Sequence, residues 1–307
     1  MRLYSTTSKS LKRIKSAPFK LERDMQKLFE ENLEELMGLR LVKSEYTIKN
    51  RRIDTLAFDE EAKCFIIIEY KRDKNKSVVD QGFSYLSLML ENKAEFLVTY
   101  NEHFNTNMRM AAVDWSQTRV AFVSPSFTQN QIQATNFKDL GIELWEVQRY
   151  ENSMVAITQI RQNSSATSVK PVTQKNQSLE KVVSEIKTYT ESGYTENMPD
   201  EMVELYEQFR DAILNLADEV ELAPQKNYVS IKKSGRKINA NIVCIEIQRR
   251  KIKMYVGAKA GTLDDPKGVA KDVSNVGHWG TGDYLIEVTD DSQLEYILSL
   301  IKQVVND

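Results

Sequence analysis

Four consecutive apolar residues, Phe65, Ile66, Ile67 and Ile68, carry no alternation between polar and apolar, so they predict a short strand buried on both faces. A strand covered on both sides needs a layered α/β or sandwich fold around it. The run ends on Glu69 and Lys71, and a period of two puts Phe65, Ile67, Glu69 and Lys71 on one side. Two charged groups therefore share a face that is otherwise apolar.

Strands are expected at Leu41 to Ile48, Arg52 to Phe58 and Lys63 to Glu69, with a tight acidic turn at Asp59-Glu60-Glu61-Ala62. Pairing about that turn sets Asp54 opposite Ile67, or opposite Ile68 or Glu69 if the loop is slightly longer or bulged. Asp54 and Glu69 then converge. Two carboxylates at the edge of a buried strand are costly unless neutralised, and a hard divalent cation, Mg²⁺ or Mn²⁺, does so. Lys71 supplies what phosphodiester hydrolysis needs beside a metal, a cation near the water or the charged phosphate. A helix from Ser77 to Asn92 places Gln81 and Tyr85 one turn apart on the same side, and Gln81 reaches back to position water or phosphate. A lone E-x-K is most often a solvated pair. The buried run, the register, Gln81 and the basic stretch Lys71, Arg72, Lys74 and Lys76 together favour a catalytic reading.

The chain here resembles the PD-(D/E)XK nuclease superfamily, in the branch similar to NucS/EndoMS and RecB-like nucleases. The resemblance rests on RIDTLAFD, FIIIEYKRDK and DQGFSYL, preceded by the helix LERDMQKLFEENLEELMGL, and covers roughly Phe19 to Ile160. It implies a restriction-endonuclease-like mixed sheet flanked by helices. It also implies that Asp54, Glu69 and Lys71 form the site, and that Gln81 and Tyr85 occupy the Q-x-x-x-Y signature. By motif position alone it adds Glu30 of the first helix as a further metal ligand, with Glu31 and Glu34 nearby. The proline of the motif's first letter is absent, since Ile53 precedes Asp54.

At 307 residues the chain is expected to hold about two domains. Residues 1–160 read as the nuclease-like domain, 161–178 as a polar linker free of acidic residues, 179–220 as connecting helices and 221–307 as a smaller accessory α+β domain. Within the first domain, Leu21 to Met37 is an amphipathic helix stopped by Gly38, Ala94 to Tyr100 a strand, Asn101 to Met110 a loop, Arg119 to Pro125 a strand, Gln129 to Leu140 a helix and Ile142 to Val147 a strand. The strand, helix, strand order predicts a right-handed crossover to a parallel neighbour. Trp115, Phe127 and Trp145 read as core, with base stacking as the alternative.

The net charge of −2 leaves any attraction to nucleic acid to local patches, such as the first twenty residues, with Arg2, Lys9, Lys12, Arg13, Lys15 and Lys20 and no acid. That arm either lies along phosphates or is a solvated leader. Cys64 and Cys244 sit in strand-like sequence as reduced thiols, and two histidines remote from any cysteine pair argue against zinc. No run of eighteen apolar residues and no apolar leader occurs, so a cytoplasmic protein without a membrane span is expected.

Toward the C-terminus, DVSNVGHWGTGDY matches neither a P-loop nor a dinucleotide fingerprint. It reads as a glycine-rich turn pinned by Trp279, with a ligand loop as the alternative. This end is similar to a small domain of uncharacterised function found after nuclease-like domains and in proteins labelled predicted transporters. The expectation is a metal-dependent endonuclease acting on DNA, with RNA open, in repair or defence. The alternatives are a non-cleaving nucleic-acid-binding protein and a regulatory protein that works through its C-terminal domain. Cutting both strands of a duplex with one site per chain favours a homodimer.

Overall fold

The computed structural model describes residues 3–7, 10–72, 77–137, 139–161, 166–173, 177–217, 220–233, 241–278 and 280–306. Arg2, Lys9, Lys74, Lys76 and Trp279 lie outside the described residues. The chain divides into two units, Met1–Thr188 and Tyr189–Asp307.

The first unit opens with a hairpin of β1 (Leu3–Thr7) and β2 (Ser10–Ile14), where a loose arm was one expectation. Helices α1 (Glu22–Glu31) and α2 (Leu33–Met37) follow, breaking at Asn32 what reads as one helix. Gly38 ends α2 with φ +65°, the left-handed cap that glycine adopts without steric cost. Then come β3 (Arg40–Ile48), β4 (Arg51–Asp59), β5 (Cys64–Tyr70), α3 (Val78–Glu91) and α4 (Lys93–Phe104). They are followed by β6 (Arg119–Ser124), α5 (Gln129–Thr135), β7 (Ile142–Arg149), β8 (Val155–Ile160), α6 (Lys170–Thr173) and α7 (Gln177–Glu185).

These strands form a six-stranded mixed sheet in the order β3-β4-β5-β6-β7-β8. The pairs β5/β6 and β6/β7 are parallel and the others antiparallel. Every residue of β5 is buried, as its apolar run demands. Alternation splits the core in two. Leu56, Phe58, Phe65, Ile67, Val120 and Phe122 pack with α3 and α4, while Ala57, Ile66, Ile68, Tyr70, Ala121 and Val123 pack with α1 and α2. The sheet flanked by helices agrees with the fold class expected.

Several elements differ from their sequence reading. Ala94 to Tyr100 is helix, part of α4, because Phe96, Tyr100 and Phe104 recur at helical spacing; Phe96 packs on Phe65, Tyr100 on Phe58, and Phe104 on Tyr100. The crossover from β5 therefore runs through two helices to β6, its parallel neighbour. Helix α5 stops at Thr135, short of Leu140, and β8 is an additional edge strand. Trp115 stacks on Phe65 at 5.4 Å, Phe127 is buried, and the Trp145 Nε1–H donates to Glu143 at 3.0 Å, so all three serve packing. The polar stretch after Ile160 does not separate the units. Val169, whose N–H donates to Asp139 at 2.7 Å, and Val182, Val183 and Ile186 are buried in the first unit's core. The division falls after Thr188.

The second unit comprises α8 (Glu191–Thr195), α9 (Asp200–Leu214), β9 (Val220–Pro224), β10 (Val229–Lys233), β11 (Asn241–Gln248), β12 (Lys251–Val256), β13 (Lys271–Asp272), β14 (Tyr284–Val288) and α10 (Leu294–Asn306). Its strands form an antiparallel sheet in the order β13-β14-β12-β11-β10-β9, and α9 and α10 pack on one face. The glycine-rich segment lies on the other face, over Cys244. A Cβ at Gly280, whose φ is +90°, would stand 2.8 Å from Cys244 Cβ, and His278 stacks on Tyr255 with ring centroids 4.4 Å apart. His278 and Gly280 thus pack on the sheet, while Ser274 to Gly277 are exposed.

Candidate active site

The hairpin β4–β5 sets the site. Asp59 Oδ1 accepts from the N–H groups of Glu61 and Ala62 at 3.0 and 2.9 Å, and Lys63 takes φ +51°, which makes a loop of four residues between Asp59 and Cys64. That loop is two residues longer than the tight turn and fixes the register Thr55↔Ile68. The next position outward brings Asp54 to Glu69, so the longer-loop alternative is the one that forms.

The predicted residues meet through hydrogen bonds. Asp54 N–H donates to Glu69 Oε1 at 3.3 Å, and Tyr70 N–H donates to Asp54 Oδ2 at 3.0 Å. Lys71 Nζ and Gln81 Nε2 donate to Glu69 Oε2 at 3.0 and 3.1 Å. Glu69 is 2% exposed, and these three donors offset the cost of burying its charge. Gln81 is delivered by α3, whose first turn is capped by Ser77 Oγ accepting from Asp80 N–H at 3.3 Å. Beside Gln81, Gly82 lets α3 approach the sheet closely, since a Cβ there would lie 2.4 Å from Ile142 Cδ1. Tyr85 hydroxyl donates to the Arg52 carbonyl at 3.2 Å and accepts from Gln81 Nε2 at 3.3 Å.

The electrostatics of the pair are unbalanced. Burial pushes the Asp54 carboxyl up to about 6, and the charge of Glu69 adds to this; the Tyr70 N–H and Lys71 oppose it. Burial, with Glu69's charge behind it, also raises the Tyr85 phenol, which keeps it a neutral donor.

Glu30 lies elsewhere. Its carboxylate accepts from Thr55 Oγ1 at 2.5 Å and Gln26 Nε2 at 3.1 Å, and Thr55 faces the α1 side of β4, opposite to Asp54. Among the described residues no group of three His, Cys, Asp or Glu side chains is assembled to hold a metal ion, so the set Asp54, Glu69 and Glu30 is not one cage. Mg²⁺ does not require one, because it commonly binds through one or two carboxylates and completes its shell with water and substrate phosphate. Two converging hard-oxygen donors, one of them resisting ionisation beside the other, fit such a cation.

Two neighbours escape sequence reasoning. Gln26, 7% exposed, donates from Nε2 to the Asp54 carbonyl at 3.0 Å and to Ser44 Oγ at 3.2 Å as well as to Glu30, tying α1, β3 and β4 together. Its only signal is a polar residue beside Met25 in an apolar stripe, one turn before Glu30. Glu45 stands across from Asp54 between the pairs Ser44↔Thr55 and Tyr46↔Ile53, with φ +52° and an ion pair to Arg52, and its charge also pushes Asp54 upward. Nothing in the sequence marks it.

Residues 191–304 match the model of a domain of unknown function, DUF5655. Solved structures similar to the chain include a repair endonuclease from Pyrococcus abyssi, at 19% identity over 42% of this chain and 47% of that one, TM-score 0.25. A complex of EndoMS with double-stranded DNA aligns at 19% identity over 46% of this chain and 49% of that one, TM-score 0.30. SfsA of Pyrococcus furiosus with Ca²⁺ aligns at 14% identity over 46% of this chain and 65% of that one, TM-score 0.25. The match spans about half the length of the two nucleases, and similarity at this level bears on neither substrate nor activity. An "Uncharacterized protein" of Haemophilus influenzae is 48% identical over 307 residues, covering all of both chains. Identity of that order from end to end makes this chain a member of the same family as the Haemophilus influenzae protein.

Proposed function

We propose that the first unit is a divalent-metal-dependent nuclease of the PD-(D/E)XK type that hydrolyses phosphodiester bonds in DNA, in repair or defence. The observation that carries this reading is the convergence of Asp54, Glu69, Lys71 and Gln81 through bonds of 3.0 to 3.3 Å at the ends of two adjacent strands. Asp54 and Glu69 are the residues that would hold Mg²⁺ or Mn²⁺, which when bound supplies Lewis acidity toward phosphate oxygen and an acidified water. Lys71, 12% exposed in its side chain, presents an ammonium beside Glu69, where it stabilises charge developing on the phosphate. Gln81 spends its N–H donors on Glu69 and Tyr85, which leaves its amide oxygen to orient a water by accepting a hydrogen bond from it. Gln26 holds the main chain of Asp54 and is a positioning residue.

The test is incubation of the full chain with linear, branched, mismatched and single-stranded DNA, and with RNA, in Mg²⁺ or Mn²⁺. Metal-dependent cutting that Asp54→Ala and Lys71→Ala each reduce by about 10³-fold or more supports the proposal. Binding without cutting in either metal overturns it in favour of a non-cleaving binding protein. No binding at all leaves a regulatory role centred on the second unit.

A further inference from the structure

In its described residues, 3–7 and 10–20, the basic N-terminal stretch forms a ribbon and a strap. In the β1–β2 hairpin, Tyr4 pairs with Arg13, Ser5 with Lys12 and Thr6 with Leu11. Pairing puts Tyr4, Thr6, Leu11 and Arg13 on one face. Tyr4 is 45% and Leu11 67% exposed, and Lys12, Arg13, Lys15 and Lys20 are exposed as well. None of these four cations forms an ion pair among the described residues, and no acidic residue precedes Glu22.

The root of this ribbon is fixed beside the candidate active site. Ile14 is buried, Ser16 bridges to Tyr150, Lys15 carbonyl accepts from Glu151 N–H at 2.9 Å, and Ala17 exchanges bonds with Arg149 at 2.9 Å in each direction. Arg149 also covers the Phe19 ring at 4.9 Å. Three residues on, the Lys20 carbonyl accepts from Arg72 at 2.8 Å, immediately after Lys71. Because β5, β6 and β7 run parallel, their C-terminal ends share one edge of the sheet. The segment from Ser16 to Lys20 crosses that edge from the end of β7 to the end of β5, a distance of about 10 Å at two strand spacings. Cations with no ion pair among the described residues thus run from an exposed ribbon, about 17 Å long at five residues per strand, where Arg13 shares the face of Tyr4 and Leu11 and Lys12 lies on the other face, through the strap to the residue next to the catalytic lysine.

We infer that this ribbon and strap, through Lys12, Arg13, Lys15 and Lys20, form a docking track for the phosphate backbone of a nucleic acid strand. It rests on the nuclease reading, because its orientation has meaning only if the strand ends at the Asp54–Glu69 pair. Charge complementarity selects the partner: four unpaired cations match a polyanion with regularly spaced charges, and each phosphate neutralised releases counterions. Exposed Tyr4 and Leu11 add apolar contact to sugar and base edges, which a two-stranded ribbon makes when it enters a groove.

The measurement is fluorescence anisotropy of the full chain with a labelled 20-base-pair duplex, and with the matching single strand, in EDTA across a series of salt concentrations. The variant is Lys12→Gln/Arg13→Gln/Lys15→Gln/Lys20→Gln, with Lys12→Gln/Arg13→Gln as a second that leaves the strap untouched. The full variant is expected to weaken duplex binding about 10²-fold and to lower the slope of log affinity against log salt by about 3.6. The double variant is expected to lower it by about 2. An unchanged slope in both variants overturns the track, whether or not the protein cuts. A lowered slope in a protein that never cuts with Mg²⁺ or Mn²⁺ keeps the track and removes the nuclease reading. Cation-dependent binding to phosphatidylserine vesicles with none to either nucleic acid overturns the inference in favour of a membrane surface.

Discussion

Asp54 is half-buried beside Glu69, and burial first, Glu69 second, push its carboxyl from 3.8 to about 6. A carboxyl raised in the folded state binds its proton more tightly there than in the unfolded chain. Its contribution to stability is therefore full below pH 3.8 and declines as pH rises to about 6. Asp54→Asn keeps an acceptor for Tyr70 N–H and removes the charge. It is expected to raise stability by about 1 kcal/mol at pH 7 to 8, after allowance for solvent, and by nothing below pH 4. Urea unfolding at the two pH values checks this, and a loss of stability at pH 7 contradicts it. Gln26→Ala removes the amide that ties the Asp54 carbonyl, Ser44 and Glu30. The expected cost is about 1 to 3 kcal/mol, accompanied by weaker metal affinity, read as a higher half-saturating Mg²⁺ concentration for cleavage.

At the scale of elements, the close approach of α3 to the sheet decides whether Gln81 reaches Glu69. Gly82→Ala forces a methyl against Ile142 Cδ1 and is expected to cost about 1 to 3 kcal/mol and to slow cleavage. Ile142→Val, which removes Cδ1 but keeps Cγ1 2.9 Å from the added methyl, is expected to restore part of both, as a double-mutant cycle of stability and rate would read. Rescue by no more than the sum of the single effects contradicts the packing account. How much the sequence reveals follows from which forces set each element. Strand β5 is legible because burial on both faces leaves no polar residue from Phe65 to Ile68. Helix α3 is legible from Ser77 and its apolar stripe, and with β5 it places Glu69, Lys71 and Gln81. Helix α4 is not, because Phe96, Leu97, Val98, Thr99 and Tyr100 favour a strand locally, and only packing of Phe96 on Phe65 and of Tyr100 on Phe58, with Phe104 behind Tyr100, makes them helical. The register of Asp54 depends on a side-chain bond from Asp59 and on Lys63 in the left-handed region, neither of which a pattern of hydrophobicity encodes. Motif spacing identifies Glu30 but not its direction, which the phase of α1 turns toward Thr55.

At the scale of the whole molecule, two units each bury their own core, and the candidate site belongs wholly to the first. With a net charge of −2, the protein as a whole exerts little pull on a polyanion, so the affinity for DNA that the proposed function requires would come from local cations and is expected to fall steeply with salt. Among the described residues no helix is long and apolar enough to cross a membrane. The most direct measurement is the rate of duplex DNA cleavage as Mg²⁺ or Mn²⁺ is titrated, for the full chain beside Asp54→Asn. The expected result is saturable, metal-dependent cutting by the natural chain, abolished in EDTA, and a rate lower by about 10³-fold or more in Asp54→Asn at every metal concentration. Cutting that persists in EDTA, or an Asp54→Asn chain that cuts as fast as the natural one, would contradict the assignment of Asp54 and Glu69 as a metal-binding catalytic pair.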